Sequence, residues 1–344
     1  MIEQGMLAGC LRKGAHMTYD NRLRGAAMLT FTALAWGAMF AVAKSALTTI
    51  DAFHLSALRY GPAAVVMLAI LGLVEGPRAL LPGRAAGRLW LFGTFGFAGF
   101  SILGFLGLAR STPEHAAIIV ALLPLVTTLM NWLVRGRRPT RTGLVATFVA
   151  LAGVVLVVTR GRLQLDGAGS WHADALVLAG ATCWVAYTMG AATLPELSAM
   201  RYTALSMALG AVSIVAITLA ATLAGFVTAP AWPHVEALWH DIAYLSLVAG
   251  VLAVLAWNAG IGVVGATSGV LFINLVPVTA FAIGVAQGHR FGAAEMAGAS
   301  MTLAALVASS LAGRSAGAGR PPIAHASGPR PGPARVAPAL HPCV

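Results

Sequence analysis

A chain of 344 residues with 58% hydrophobic residues, 10% charged residues and a mean hydropathy of +0.83 lies far outside soluble usage, where about a quarter of residues are charged. So few charges cannot cover a water-exposed surface, which excludes a soluble enzyme, a disordered chain and a secreted disulfide scaffold. The net charge of +11 comes from arginines in short clusters between apolar runs, so these charges face lipid headgroups and set orientation, and nucleic acid is not an expected partner.

The first twenty-odd residues carry Arg12, Lys13, Arg22 and Arg24 and show no small-residue cleavage site after the first apolar run. Residues 1–23 read as a cytoplasmic tail before an uncleaved first span. A helix needs about 20 residues to cross the hydrocarbon layer. The uncharged stretches therefore predict ten helices, roughly 25–44, 54–74, 89–109, 113–133, 142–159, 173–192, 201–226, 241–261, 267–287 and 294–312. The uncharged run 242–289 is long enough for two of them, with a break expected near Gly262–Thr267. Within helix 3, Gly93, Gly96, Gly99 and Gly104 read as close-packing positions, because small residues let membrane helices approach. Trp90, Trp171, Trp232 and Trp239 fall near span ends, as interfacial belt residues do. Residues 313–344 are rich in Gly, Pro, Ala and Arg, cannot bury a core and read as a disordered cytoplasmic tail. With the N-terminus inside, 16 of the 22 Lys and Arg fall on the cytoplasmic side, among them the Arg135–Arg141 cluster; Lys44, Arg59, Arg110, Arg160, Arg162 and Arg290 fall outside. Both termini are therefore expected in the cytoplasm.

The chain also repeats itself. Leu55-Ser56-Ala57-Leu58-Arg59-Tyr60 returns 142 residues later as Leu197-Ser198-Ala199-Met200-Arg201-Tyr202, with five of six positions identical. Trp36 matches Trp184 at an offset of 148, Leu123-Pro124-Leu125-Val126 matches Val276-Pro277-Val278-Thr279 at 153, and Gly136 matches Gly288 at 152. Ordered matches at nearly constant spacing are the mark of a duplication. Five helices per copy make the second copy enter the membrane from the opposite side. The expected fold class is thus an all-α integral membrane protein of ten transmembrane helices in two inverted five-helix repeats, a transporter architecture.

Several residues stand where transport would need them. Pro124 and Pro277 each remove a helical hydrogen bond, and exposed backbone inside a membrane is tolerated where it lines a cavity. They equally suit plain helix packing. Asn274, three residues before Pro277, and Asn258, beside Trp257, are membrane-depth amides that suit a polar ligand or an interhelical bond. Trp184 and Tyr187 form an aromatic face, and Trp36 with Phe40 forms its counterpart in helix 1. Such rings could line a cavity or simply pack. Lys44 and Arg59 near the outer ends of helices 1 and 2 are candidates for coupling or gating, or long side chains that snorkel. Thr112-Pro113-Glu114 looks like an N-cap, a first-turn proline and a first-turn acid, and the adjacent His115 titrates near neutrality and could take part in proton coupling. Glu295 reads as another cap.

The order of Trp36-Gly37 and Lys44 in helix 1, Leu58-Arg59-Tyr60 in helix 2, His115 through Leu123-Pro124-Leu125 in helix 4, Cys183-Trp184 with Tyr187 in helix 6, and Asn274-Leu275-Val276-Pro277-Val278 in helix 9 resembles the EamA-type permeases of the drug/metabolite transporter superfamily. The resemblance covers about 24–312, with residues 24–160 and 170–312 as its two repeats. It implies a multi-pass protein of the bacterial inner membrane that moves amino acids, related metabolites or toxic compounds, mostly outward. The chain departs from the family pattern where relatives carry Gly-Glu after helices 4 and 9; here Gly136-Arg137 and Gly288-His289 stand there, so no role passes to those glutamates.

Cys10, Cys183 and Cys343 give neither a disulfide framework nor a metal spacing, and there is no Walker lysine, HExxH or glycine-framed serine. No catalytic residue, metal or cofactor is expected, and any energy comes from gradients or a partner. The sequence-level expectation is a secondary permease that works by alternating access on a small-molecule solute, with proton or other ion coupling open and a monomer or homodimer equally compatible. The alternative is a non-transporting membrane scaffold or the membrane subunit of an enzyme complex.

Overall fold

The computed structural model describes residues 2–136, 141–159, 170–265 and 269–318. Arg137, Arg138, Arg160, Arg162, part of the break expected at Gly262–Thr267, and the tail from 319 to 344 lie outside the described residues. The described residues form helices joined by short turns and contain no strand. They form α1 (Ile2–Ala46), α2 (Ala52–Val74), α3 (Ala86–Gly93) and α4 (Phe100–Arg110) joined by a π-helical segment at Thr94–Gly99, then α5 (Pro113–Ala121), α6 (Leu123–Arg135) and α7 (Arg141–Thr159). The second half follows as α8 (Ser170–Ala191), α9 (Ala199–Leu223), α10 (Trp232–Ala237), α11 (Trp239–Ala243), a π-helical segment at Tyr244–Leu252, α12 (Ala253–Val264), a 3-10 segment at Val270–Asn274, α13 (Leu275–Ala286) and α14 (Ala293–Ala318).

Each of the ten predicted positions carries helix, and the differences are informative. Five stretches are long and apolar enough to cross a membrane: Asn21–Ala46, Ala52–Val74, Pro77–Arg110, Ala199–Leu223 and Trp239–Val264. The pair Pro113–Ala121 and Leu123–Val134, bent by 43°, makes a sixth if it is one broken span, and Leu144–Val157 and Leu271–Ala286 are shorter apolar helices. α1 starts far ahead of the predicted 25–44, and α14 continues past 312 to Ala318.

Local chemistry sets the helix ends. Asp51 Oδ1 accepts the N–H groups of Phe53 and His54 at 2.9 and 3.1 Å, which starts α2; Ser198 Oγ accepts from Arg201 N–H at 3.0 Å, which starts α9. Thr112 Oγ1 accepts from His115 N–H at 3.3 Å with Pro113 in the first turn of α5, as the sequence predicts. Gly136 and Gly288, matched in the repeat, take φ of 66° and 85° after α6 and α13, where a side chain would be strained.

Matched helices pair across the molecule. α2 packs on α9, and contacts from Thr218 to Phe53 and from Arg201 to Ala79 make the two helices antiparallel. α7 packs on α14 in the same sense, with Thr302 against Ala150 and Val157 against Gly298. The crossing is tight: a Cβ on Gly298 would lie 2.5 Å from Gly153 O, and one on Gly153 would lie 2.6 Å from Gly298 O. α4 lies on α8 as α12 lies on α1, the pairing a duplicated unit gives twice. Gly93, Gly96 and Gly99 do meet close neighbours, at Ser206, Tyr187 and Cys183. Gly104 differs, because a Cβ there meets nothing within 4 Å. The four belt tryptophans are exposed, as are Phe31, Val65, Phe148 and Val212 on the helix exteriors. Two clusters of buried side chains, one around Ala43, Leu55, Leu108 and Ile118 and one around Met67, Leu71, Leu89 and Met207, meet at a central cavity.

Candidate functional site

The cavity is partly open, spans about 580 Å³ of space with the solvent at its mouth included, and lies where the two copies meet. α1 contributes Trp36, Met39 and Phe40; α2 contributes Arg59 and Tyr60; the π segment and α4 contribute Phe97 and Phe100; α5 and α6 contribute Val120 and Leu123. The second copy supplies Trp184 from α8, Ala249 and Gly250 from its own π segment, Val254 from α12, and Ile273 and Val276 around Pro277. The duplication is visible in the wall itself. Trp36 and Trp184 are repeat equivalents, and Val120 and Leu123 stand at the same offset of 153 from Ile273 and Val276.

Both proline sites border this space. The α5–α6 bend falls at Leu122, two residues before Pro124, and Val120 and Leu123 on either side of it line the cavity. In the second copy the backbone passes from 3-10 to α geometry at Asn274–Leu275, just before the buried Pro277. The two π segments also occupy matched places, and a π register leaves backbone carbonyls out of the regular ladder. Trp36 Nε1 donates to one of them, Ala249 O, at 3.1 Å, and Thr32 Oγ1 donates to Ala253 O at 2.9 Å. Those bonds fix the indole at the wall, where it lies 5.5 Å from the Trp257 ring.

Arg59 is the one charged side chain lining the cavity among the described residues. It is 3% exposed, and its Nε and Nη1 have no hydrogen-bond partner. Its guanidinium carbon stands 4.7 Å from the Tyr60 ring centroid and 5.6 Å from that of Phe105. The expectation that Arg59 snorkels to an interface is not met, because it begins about 12 Å along its helix from the Asp51 cap, eight residues at about 1.5 Å each. A smaller cavity of about 300 Å³ shares Arg59, Met39, Phe40, Phe100 and Val120 with the first and reaches Gly104, Leu108 and Val177.

The other residues singled out from sequence divide sharply. Tyr187 is buried behind the wall rather than in it: it stacks on Tyr202 at 5.1 Å and 22° and meets the edges of Phe97 and Trp184 at 5.1 Å. Asn258 and Asn274 also stand outside the lining, with Asn258 Nδ2 and Asn274 Oδ1 buried and unpartnered. Lys44 donates to the carbonyls of Leu108, Ala109 and Ser111 at 3.0, 2.9 and 2.8 Å, so it closes the C-terminal end of α4.

A second polar group gathers at that helix end. Ser111 Oγ donates to Asp174 Oδ1 at 2.5 Å, and His115 Nδ1 lies 3.8 Å from Asp174 Oδ2. Glu114 is buried, and His289 Nδ1 lies 3.2 Å from its Oε1. His289, just after α13, thus pairs with the first-turn acid of α5. Sequence reasoning did not single out Tyr60, Phe97 or Phe100. Tyr60 stood beside Arg59 in the repeated motif, and Phe97 and Phe100, three residues apart on the glycine-rich helix, share a face.

A model of the EamA-like transporter family matches residues 23–159 and 171–311. Among curated proteins the chain is 30% identical to an uncharacterized transporter, YrdR, of Bacillus subtilis over 82% of this chain and 90% of the relative, and 30% identical to YyaM of the same organism over 80% and 89%. It is 25% identical to a probable terminal-alkyne amino-acid exporter of Streptantibioticus cattleyicolor over 74% of this chain and 82% of the relative. A crystal structure of a protein aligns with a TM-score of 0.59 at 20% identity, covering 84% of this chain and 97% of the other, and so shares the fold. With a family model matching each half in turn over nearly the whole helical region, the chain belongs to the EamA-like transporter family of the drug/metabolite transporter superfamily and is a multi-pass membrane transporter.

Proposed function

We propose that the protein is a gradient-driven permease of the bacterial inner membrane, with ten transmembrane helices in two inverted repeats and both termini in the cytoplasm. It exports amino acids or related small metabolites by alternating access. The observation that carries this reading is the cavity between the copies, walled at Trp36 and Trp184 and at Val120 and Ile273 by repeat-equivalent residues. A site built half from each repeat is one that rocking of one repeat against the other would open to either side in turn. The likeness to the Streptantibioticus cattleyicolor relative, a probable terminal-alkyne amino-acid exporter, supports the solute class and the direction.

Coupling would fall to the polar group at the end of α4 and α5. Glu114 with His289, and His115 with Asp174, set titratable side chains from three helices or their ends against one another. Proton exchange there would bias how α5 and α13 pack, because buried charge at that contact changes with loading. Pro124, beside the 43° bend of α5 and α6, and Pro277, after the 3-10 to α change, would serve as the points about which these helices move.

The test is flux in proteoliposomes that contain only this chain. Counterflow of a labelled amino acid, with Trp184→Ala abolishing it and leaving insertion intact, is the expected result. No flux across a panel of amino acids and small organic acids, from protein that is monodisperse and folded, would leave a membrane scaffold as the better account.

A further inference from the structure

We infer that the central cavity is a receptor for the carboxylate of an apolar or aromatic organic acid, with Arg59 as the group that binds it. This rests on the permease reading and deepens it by naming the substrate class. A guanidinium stays protonated in any protein environment, so Arg59 brings a full positive charge into an aromatic chamber. Burying such a charge without a partner is expensive, and chains ordinarily supply an acid of their own. Here, among the described residues, no carboxylate comes within 4.0 Å of the guanidinium, and Nε and Nη1 are buried with nothing to donate to. Two faces of aromatic contact, from Tyr60 and Phe105, hold the fork in place without using its N–H donors.

The repeat supplies a control within the molecule. Arg201, the counterpart of Arg59, donates Nε to Ala79 O at 3.0 Å and Nη2 to Leu81 O at 2.9 Å. The chain therefore does satisfy this arginine where it can, whereas Arg59, which lines the cavity, keeps Nε and Nη1 unpartnered among the described residues. A planar oxyanion matches the guanidinium fork with two parallel hydrogen bonds, which is a carboxylate's geometry. The rest of the wall, with Trp36, Phe100 and Trp184, offers flat apolar surface to the remainder of the solute. With no acid in the wall, an amine or other simple cation would meet like charge at Arg59, so the cavity discriminates by sign as well as shape. Loading also removes the uncompensated charge, so closure around the cavity costs less for the occupied protein than for the empty one.

Binding and transport are measured separately. In neutral detergent, titration calorimetry and tryptophan emission follow 3-phenylpropanoate, 3-phenylpropanamide and 3-phenylpropylamine, probes of one shape and three charges. The acid is expected to bind at least tenfold more tightly than the amide, and the amine not to bind. Arg59→Gln should erase the gap between acid and amide, and Arg59→Lys should restore part of it, since an ammonium keeps the charge but loses the fork. Equal binding of acid and amide by the wild-type protein, a comparison that needs no variant to fold, overturns the assignment; so does a gap that survives Arg59→Gln. Counterflow of 3-phenylpropanoate in proteoliposomes tests the other layer. Carboxylate-selective binding without flux would sink the permease reading and leave the Arg59 site standing, whereas flux that treats acid and amide alike would sink the Arg59 site and leave the permease.

Discussion

Arg59 and Arg201 occupy the same place in a repeated six-residue motif, yet one is buried with Nε and Nη1 unpartnered among the described residues and the other is tied to two backbone carbonyls. The cause is where each helix begins. α9 is capped by the motif's own serine, Ser198, so Arg201 lies in the first turn within reach of Ala79 and Leu81. α2 is capped earlier, at Asp51, so the matching serine, Ser56, is already inside the helix, where its hydroxyl donates to Ala52 O at 2.7 Å. The same motif is thereby carried about a turn deeper, and its arginine reaches the cavity.

The two arginines should respond oppositely to neutralisation. Arg201→Ala removes two charge-assisted bonds and is expected to cost about 1–3 kcal/mol, read as a lower Tm in detergent. Arg59→Gln removes an unpaired buried charge and should leave Tm unchanged or raise it. Equal falls in both variants would mean that Arg59 has a structural partner.

Lys44 is expected to behave as a helix cap. Lys44→Met leaves three carbonyls at the end of α4 without their donor and should destabilise the protein by about 1–3 kcal/mol. Lys44→Arg should recover much of the loss. If Lys44→Met kept full thermal stability and lost only flux, the lysine would belong to the transport cycle.

The glycine contacts give a paired test. Gly298→Leu drives a side chain into the Gly153 carbonyl and should cost about 1–3 kcal/mol or prevent folding, because the helices must separate. Gly104→Ala, where a Cβ meets open space, should stay within about 0.5 kcal/mol of wild type. Size-exclusion profiles and Tm values of the two variants decide whether the α7–α14 crossing is as close as described.

Accessibility separates the wall from what stands behind it. In a background lacking Cys10, Cys183 and Cys343, Trp184→Cys should react with small water-soluble thiol reagents, and a bound solute should slow it. Tyr187→Cys, packed between Tyr202 and Phe97, should react far more slowly. The reverse order would move the site from the Trp184 wall to the space around Tyr187.

Reporter fusions at Gly136 and Val344 should both read cytoplasm, because 16 of 22 Lys and Arg fall on that side in the ten-span arrangement. A periplasmic signal at either position would revise the span count or the orientation.

Much of this protein follows from its sequence. Apolar runs of the right length demand helices in lipid, because a backbone without water must bond to itself, and the repeat was legible because duplication preserves spacing. The cap at Thr112-Pro113 was legible for the same kind of reason, since its partners lie within three residues. The equivalence of Trp36 and Trp184 pointed to a shared wall before any contact was known. Tertiary structure alone decided the rest. Trp184 and Tyr187 share a helix face, but only the neighbours of that face determine that the first meets space and the second meets Tyr202. Lys44 and Arg59 are alike in sequence as long cations near helix ends, yet Leu108, Ala109 and Ser111, 64 to 67 residues away, accept from one, and among the described residues no acceptor meets Nε or Nη1 of the other. Local propensity fixes where a helix runs, whereas the fate of a charge depends on which distant groups packing brings within 3 Å of it, and pattern along the chain carries no record of that distance.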